Sequence, residues 1–155
     1  MQLAHLQAKQ AGNAFESIVT THAIHIGAEL TQMPSGCRWV MNRAIPIKTP
    51  FDFILAYRGE VVLFDAKTTK QGGFVYSKIT PHQLDSLFAL ECQGIRAGYL
   101  IWFRETDQIS FVKASALKAL KPRCSLKAED GLIIGSRIDF DMRTIINAIR
   151  PKAKI

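Results

Sequence analysis

Cysteine is scarce: three residues in 155, at Cys37, Cys92 and Cys124, an odd number with no paired spacing. Such a set fits neither a disulfide framework nor a zinc site, and it points to a reduced, cytoplasmic setting with all three as ordinary packing residues. Apolar runs are short. None approaches the roughly 18 residues of a membrane span, so no membrane partner is expected. The chain does not open on a basic stretch followed by an apolar one, which argues against a secretory signal. Repeats, low-complexity tracts and Pro/Ser linkers are missing as well, so residues 1–155 read as one domain. Hydrophobic residues at 48% and charged residues at 21% exclude a disordered chain.

Acidic side chains are in deficit: thirteen Asp and Glu against twenty Lys and Arg, a net charge of +7. The deficit is local. Residues 1–112 carry ten basic and nine acidic side chains, whereas residues 113–155 carry ten and four. A basic segment from about residue 113 on a nearly neutral body suits a polyanion, because each phosphate neutralised releases condensed counterions. Charge alone does not separate DNA from RNA or an anionic membrane, and solubility is the plain alternative.

Local patterns predict a mixed α/β domain with a central sheet. Residues 2–21 form a helix with Ala11, Phe15, Ile18, Val19 and His22 on one face. A turn-rich passage at Met33-Pro34-Ser35-Gly36 leads to a strand at Arg38–Ile45. Phe51–Arg58 and Glu60–Thr68 are strand-like runs around Gly59, a hairpin, followed by a loop at Gln71-Gly72-Gly73. Thr80-Pro81-His82-Gln83 has a capping threonine, proline at the first helical position and glutamine three residues after the cap. That helix continues through Leu84, Leu87, Phe88 and Cys92 and stops at Gly94. Strands at Gly98–Arg104 and Ile109–Lys113 and short helices at Ser115–Leu120 and Asp141–Ile149 complete the pattern.

The hairpin carries the chemistry. With its turn centred between Arg58 and Gly59, Asp52 falls opposite Asp65, Ile54 opposite Leu63 and Ala56 opposite Val61, and Lys67 shares their face. Both faces are otherwise apolar, so the hairpin belongs inside the sheet. Two carboxylates in that position have Cβ atoms about 4.5–5.5 Å apart and repel each other. Lys67 can pair with one; a hard divalent cation, Mg²⁺ or Mn²⁺, would satisfy both and leave positions for water and phosphate. Such an ion polarises a phosphoryl oxygen and acidifies water, the carbonyl of Ala66 is a further candidate ligand, and Lys67 can orient the water while offsetting developing charge. The structural alternative is a salt-bridged cluster at a solvated strand end.

These residues resemble the PD-(D/E)xK nuclease superfamily, and within it the Holliday junction resolvases of the RecU and archaeal Hjc types. Gly12-Asn13-Ala14-Phe15-Glu16 resembles the family's first-helix glycine and glutamate. Thr49-Pro50-Phe51-Asp52 supplies the first aspartate, Phe64-Asp65-Ala66-Lys67 the D/E-x-K tripeptide, and Pro81-His82-Gln83 the His-Gln that opens a later helix. The resemblance covers roughly residues 9 to 103. It implies a restriction-endonuclease-like fold, Mg²⁺ dependence and a homodimer that nicks four-way DNA junctions symmetrically. Glu16, Asp52 and Asp65 would be metal ligands or act close to the metal, Lys67 the catalytic lysine, and Gln83 a polar residue of the active site. RecU-type enzymes carry a stalk ahead of the first aspartate. The few residues between Ile45 and Asp52 leave no room for one, so a compact archaeal-type resolvase, prokaryotic or phage-encoded, is the closer match.

Phosphate contacts are assigned to Lys9, Lys70, Lys78, Lys113, Lys118, Lys121 and Arg123, with Arg150, Lys152 and Lys154 in the tail. His22, His25 and His82 read as packing or surface residues. Two other functions compete: a restriction or repair nuclease of the same superfamily, and a non-catalytic nucleic-acid-binding protein in which Asp52, Asp65 and Lys67 are structural.

Overall fold

Two residues with positive φ, Arg58 (49°) and Gly59 (79°), turn the chain between β4 (Phe53–Tyr57) and β5 (Glu60–Thr69). Positive φ at both central positions is the type I′ arrangement, whose twist matches that of the flanking strands. It fixes the register: Phe53 pairs with Phe64, Ile54 with Leu63, Leu55 with Val62 and Ala56 with Val61. Asp52 therefore leads into β4 on the face that carries Asp65 in β5, as the sequence predicts.

In the computed structural model, which describes residues 2–34, 36–120 and 123–148, this hairpin lies inside a six-stranded sheet. The strand order is β1-β4-β5-β7-β8-β10. Its other strands are β1 (Glu29–Gln32), β7 (Arg96–Phe103), β8 (Gln108–Lys113) and β10 (Leu132–Gly135). Only β5 and β7 are parallel, and α2 (Pro81–Cys92) connects them, as a parallel pair requires a crossover. Gly94 at φ 86° ends α2: Gly94 N–H donates to Glu91 and Ile95 N–H to Leu90, the double bond of a Schellman cap. A short pair, β6 (Phe74–Val75) with β9 (Ser125–Leu126), lies outside the main sheet.

Strand alternation splits the core into two layers. Phe53, Leu55, Val62, Phe64, Leu100 and Phe111 pack on α1 (Gln2–His25) through Phe15, Val19 and Ala23, and on α4 (Arg143–Ala148) through Ile145 and Ile146. Leu63, Tyr99, Ile101, Phe103 and Val112 pack on α2 through Leu84 and Leu87, and on α3 (Ala114–Lys118) through Leu117. Asp65 belongs to the second layer by parity. The mixed sheet flanked by helices is the expected fold class.

Several local expectations are corrected. The run read as one strand at Arg38–Ile45 is a hairpin, β2 (Cys37–Val40) and β3 (Arg43–Pro46), turned at Met41 and Asn42 with φ of 48° and 59°. Both strands are exposed throughout. An inserted element thus does precede Asp52, where no room for one was expected. Strand β1 occupies what read as the end of a turn-rich passage, and α1 runs one turn beyond residue 21. Cys37, Cys92 and Cys124 are free but exposed, so none is a packing residue. Among the described residues no helix is long and apolar enough to cross a membrane.

The register depends on the turn. Gly59→Val places a β-branched side chain at φ 79° and should cost about 1–2 kcal/mol, lowering the thermal midpoint by roughly 2–8 °C for a domain of this size. An unchanged midpoint would show that this backbone conformation does not hold the hairpin.

Candidate active site

The two predicted aspartates meet at the open end of the β4–β5 hairpin. The β1–β4 ladder continues one rung past its last paired residues, where Met33 N–H donates to the Asp52 carbonyl at 2.7 Å, fixing the backbone that presents this carboxylate. Asp65 is fully buried in β5. From the first turn of α2, Gln83 Nε2 donates to Asp52 Oδ1 at 3.2 Å and to Asp65 Oδ1 at 3.3 Å. One amide thus ties both carboxylates. Lys67, two residues along the same face of β5, brings Nζ within 2.5 Å of Asp65 Oδ2.

This use of Gln83 corrects the capping-box expectation. Thr80 does occupy the N-cap, with extended backbone and Pro81 behind it, but its side chain makes no capping bond. Gln83 points at the carboxylates instead of back to Thr80.

Electrostatics marks Asp65 as the strained member. Burial, then a hydrogen bond shared with Asp52, push its carboxyl up to about 8, against the opposing pull of the Lys67 ammonium. Glu16 in α1 lies close enough to contribute: burial first and the charge of Asp52 second raise its carboxyl above the usual range. It is held by Gln32, whose Nε2 donates to Glu16 Oε2 at 3.2 Å. Gln32, at the end of β1 and paired with Phe53, had no motif to announce it.

The donor set suits a hard cation. Two facing carboxylates, one of them fully buried, have the Lys67 ammonium alone beside Asp65 as countercharge, and a divalent ion would supply what both need to be ionised together. Asp52 and Asp65 are the side chains that would hold it. Ala66 lies between the site residues in β5, its methyl packed in the opposite layer, so only its main chain could contribute. Among the described residues no three carboxylate, imidazole or thiolate groups are gathered closely enough to hold an ion by themselves. Glu16 therefore stands beside the carboxylate pair, outside a direct three-carboxylate cage.

A groove of about 520 Å³ adjoins Gln83, lined by Ile47, Lys48, Thr49, Thr80, Pro81 and His82. Its Lys48 was not among the expected phosphate contacts. Of those that were, Lys9, Lys70, Lys78, Lys113, Lys118 and Arg123 are all exposed. Lys70 directly follows β5, and Lys78 lies in the 3-10 turn before α2. Lys118 is ion-paired with Asp85 of α2, which reduces its free charge. Lys121, Arg150, Lys152 and Lys154 lie outside the described residues. His22 is structural: its Nε2 accepts from Met142 N–H at 3.2 Å and its ring packs on Phe140.

Comparisons with known proteins give the family and the fold. The family model for recombination protein U, RecU, matches residues 11–130. The chain belongs to the RecU family, a family of Holliday junction resolvases and thus of metal-dependent nucleases that act on DNA. Among solved structures it is similar to Hjc of Archaeoglobus fulgidus, a Holliday junction resolvase from an archaeal hyperthermophile. The two share 13% identity with a TM-score of 0.56, over 79% of this chain and 96% of that one. At that identity the likeness shows the fold, the restriction-endonuclease-like class expected from the sequence. No curated protein matches the chain by sequence.

The raised Asp65 carboxyl has a measurable consequence. Folded protein keeps a proton up to about pH 8 that the unfolded chain releases near 3.8, so metal-free stability falls as pH rises through that interval. In a chelator the thermal midpoint should drop between about pH 6 and about pH 9. Asp65→Asn should remove most of that drop, and a divalent cation should restore the wild-type midpoint at high pH but not the variant's. A wild-type midpoint insensitive to both pH and metal would contradict the assignment.

Proposed function

We propose that the chain is a structure-selective DNA endonuclease that nicks four-way junctions symmetrically as a homodimer, with Mg²⁺ as cofactor and Mn²⁺ able to replace it. The observation that carries this reading is the Asp52–Gln83–Asp65 bridge with Lys67 on the same face, in a chain of the RecU family. When bound, the ion supplies polarisation of the phosphoryl oxygen and acidification of water. Asp52 and Asp65 would hold it, with the Ala66 carbonyl and Glu16 in support. Gln83 keeps the two carboxylates aligned through its Nε2 donor. Lys67, on the same face, would orient the attacking water and offset the negative charge that grows on the phosphate as the O–P bond forms and the leaving oxygen departs.

The exposed β2–β3 hairpin bears on substrate choice. Its turn residue Met41 is 94% exposed and Trp39 is 73% exposed, with Arg38 and Arg43 beside them. Apolar side chains at such a tip are covered by nothing among the described residues, while a splayed junction offers unstacked bases. Stacking on an aromatic side chain is worth about 1–3 kcal/mol per base. We assign the hairpin to the junction centre and Lys9, Lys70, Lys78, Lys113, Lys118, Lys121 and Arg123 to flanking phosphates. The basic segment from about residue 113 belongs to the same nuclease domain and serves the same contacts. A host cytoplasm is the setting this substrate implies.

A restriction or repair nuclease would use the same site on a different DNA shape; a binding protein would use none of it. One cleavage assay on four-way junctions, flaps and plain duplex separates the three. Junctions should receive paired nicks in opposing strands, which needs a two-fold dimer. Asp65→Asn should abolish cleavage in Mg²⁺ and Mn²⁺ while junction binding survives or tightens. Equal cutting of duplex by a monomer would rule out a resolvase, and no cutting by the wild type would rule out an enzyme. Trp39→Ala should lower the preference for junction over duplex about tenfold with little change on duplex; an unaltered preference would remove the hairpin from recognition.

A further inference from the structure

Tyr99 lies beside the site and has no role in the chemistry above. It pairs with Asp65 in the parallel β5–β7 ladder, so the two side chains leave neighbouring strands about 4.8 Å apart in the same layer. Tyr99 is fully buried, and its hydroxyl has no hydrogen-bond partner. A phenylalanine would fill the same space without desolvating a hydroxyl, so the oxygen is a cost to the fold unless something uses it.

The groups close enough to bias the hydroxyl are few. Burial raises the phenol above its ordinary range, and the charges of Asp65, Asp52, Tyr76 and Asp85 add to that in descending order. Asp85 is exposed and ion-paired with Lys118, and Asp52 Oδ1 already accepts from Gln83. Asp65 Oδ2 is the buried carboxylate oxygen that the Lys67 ammonium meets at 2.5 Å, and it loses that partner if Lys67 turns to the substrate. A buried donor with no acceptor thus faces, across one ladder, a buried carboxylate whose Oδ2 is met by the Lys67 ammonium.

We propose that Tyr99 is a positioning residue for Asp65, its hydroxyl donating, directly or through one bridging water, to the ionised carboxylate and fixing it for its ligand role. This rests on the metal-dependent reading of the site. There, Lys67 leaves Asp65 to act on the water, and Asp65 needs another donor to stay oriented. Partners of that kind behind a metal ligand typically change metal affinity 10–100-fold.

Tyr99→Phe removes the oxygen alone and keeps the ring in the core. Calorimetric titration of the whole protein with Mn²⁺ is the test, alongside thermal unfolding in a chelator. The expected result is Mn²⁺ binding at least about tenfold weaker in the variant, with metal-free stability unchanged or raised. A packing role alone would leave the affinity unmoved, and equal affinity in the two proteins overturns the role of Tyr99 while leaving the metal site intact. If neither protein binds Mn²⁺, the metal-dependent reading falls and this inference with it.

Discussion

Asp52 and Asp65 are brought together by a two-residue turn and then walled in by strands on either side. Their repulsion is the constraint around which the rest of the site is arranged. Gln83 gives one hydrogen bond to each, Lys67 gives one positive charge to the pair, and burial withholds the water that would do more. The fold tolerates this because both hairpin faces are otherwise apolar and anchored, one on α1 and one on α2. Helix α2 has two duties there: Leu84 and Leu87 hold it to the sheet, and Gln83, one residue earlier, reaches the carboxylates. Stability and function thus pull in opposite directions at one point, and the core on either side absorbs the cost.

The site was largely legible in the sequence because it depends on register, and register depends on a short turn. A turn placed at Arg58-Gly59 gives one pairing of the two apolar runs, and the strands adopt it. Gln83 was legible for a partly different reason: it occupies the third position after a cap, yet its amide serves the carboxylates. What stayed hidden had no local signature. Met41-Asn42 turns a hairpin with the same positive φ as Arg58-Gly59 but contains no glycine, so Cys37–Pro46 reads as one strand. Edge strands β1 and β10 are four residues each, too short for a clear period. The cysteines read as core by residue type, although each falls on an exposed position. Tyr99 and Gln32 acquire meaning only from what tertiary packing sets beside them.

The two halves of the account have different foundations. The chemistry follows from side chains in a fixed register inside a sheet. The proposal of a branched DNA substrate rests on family membership together with an exposed apolar hairpin that leads into the groove beside Gln83. Each half is consistent with the uneven charge of the chain, which leaves the catalytic core nearly neutral and concentrates basic residues beyond position 113. Part of that excess is spent within the fold, where Lys118 meets Asp85 and Arg143 meets Asp141. The exposed remainder is what a phosphate backbone would encounter.

The central claim is that the facing carboxylates await a cation. Anomalous diffraction from crystals grown with Mn²⁺ tests it most directly. The account predicts one strong peak between Asp52 and Asp65, with Lys67 Nζ displaced from Asp65 Oδ2 and Gln83 still bridging the pair. No peak at that position, with Lys67 still capping Asp65, would contradict it.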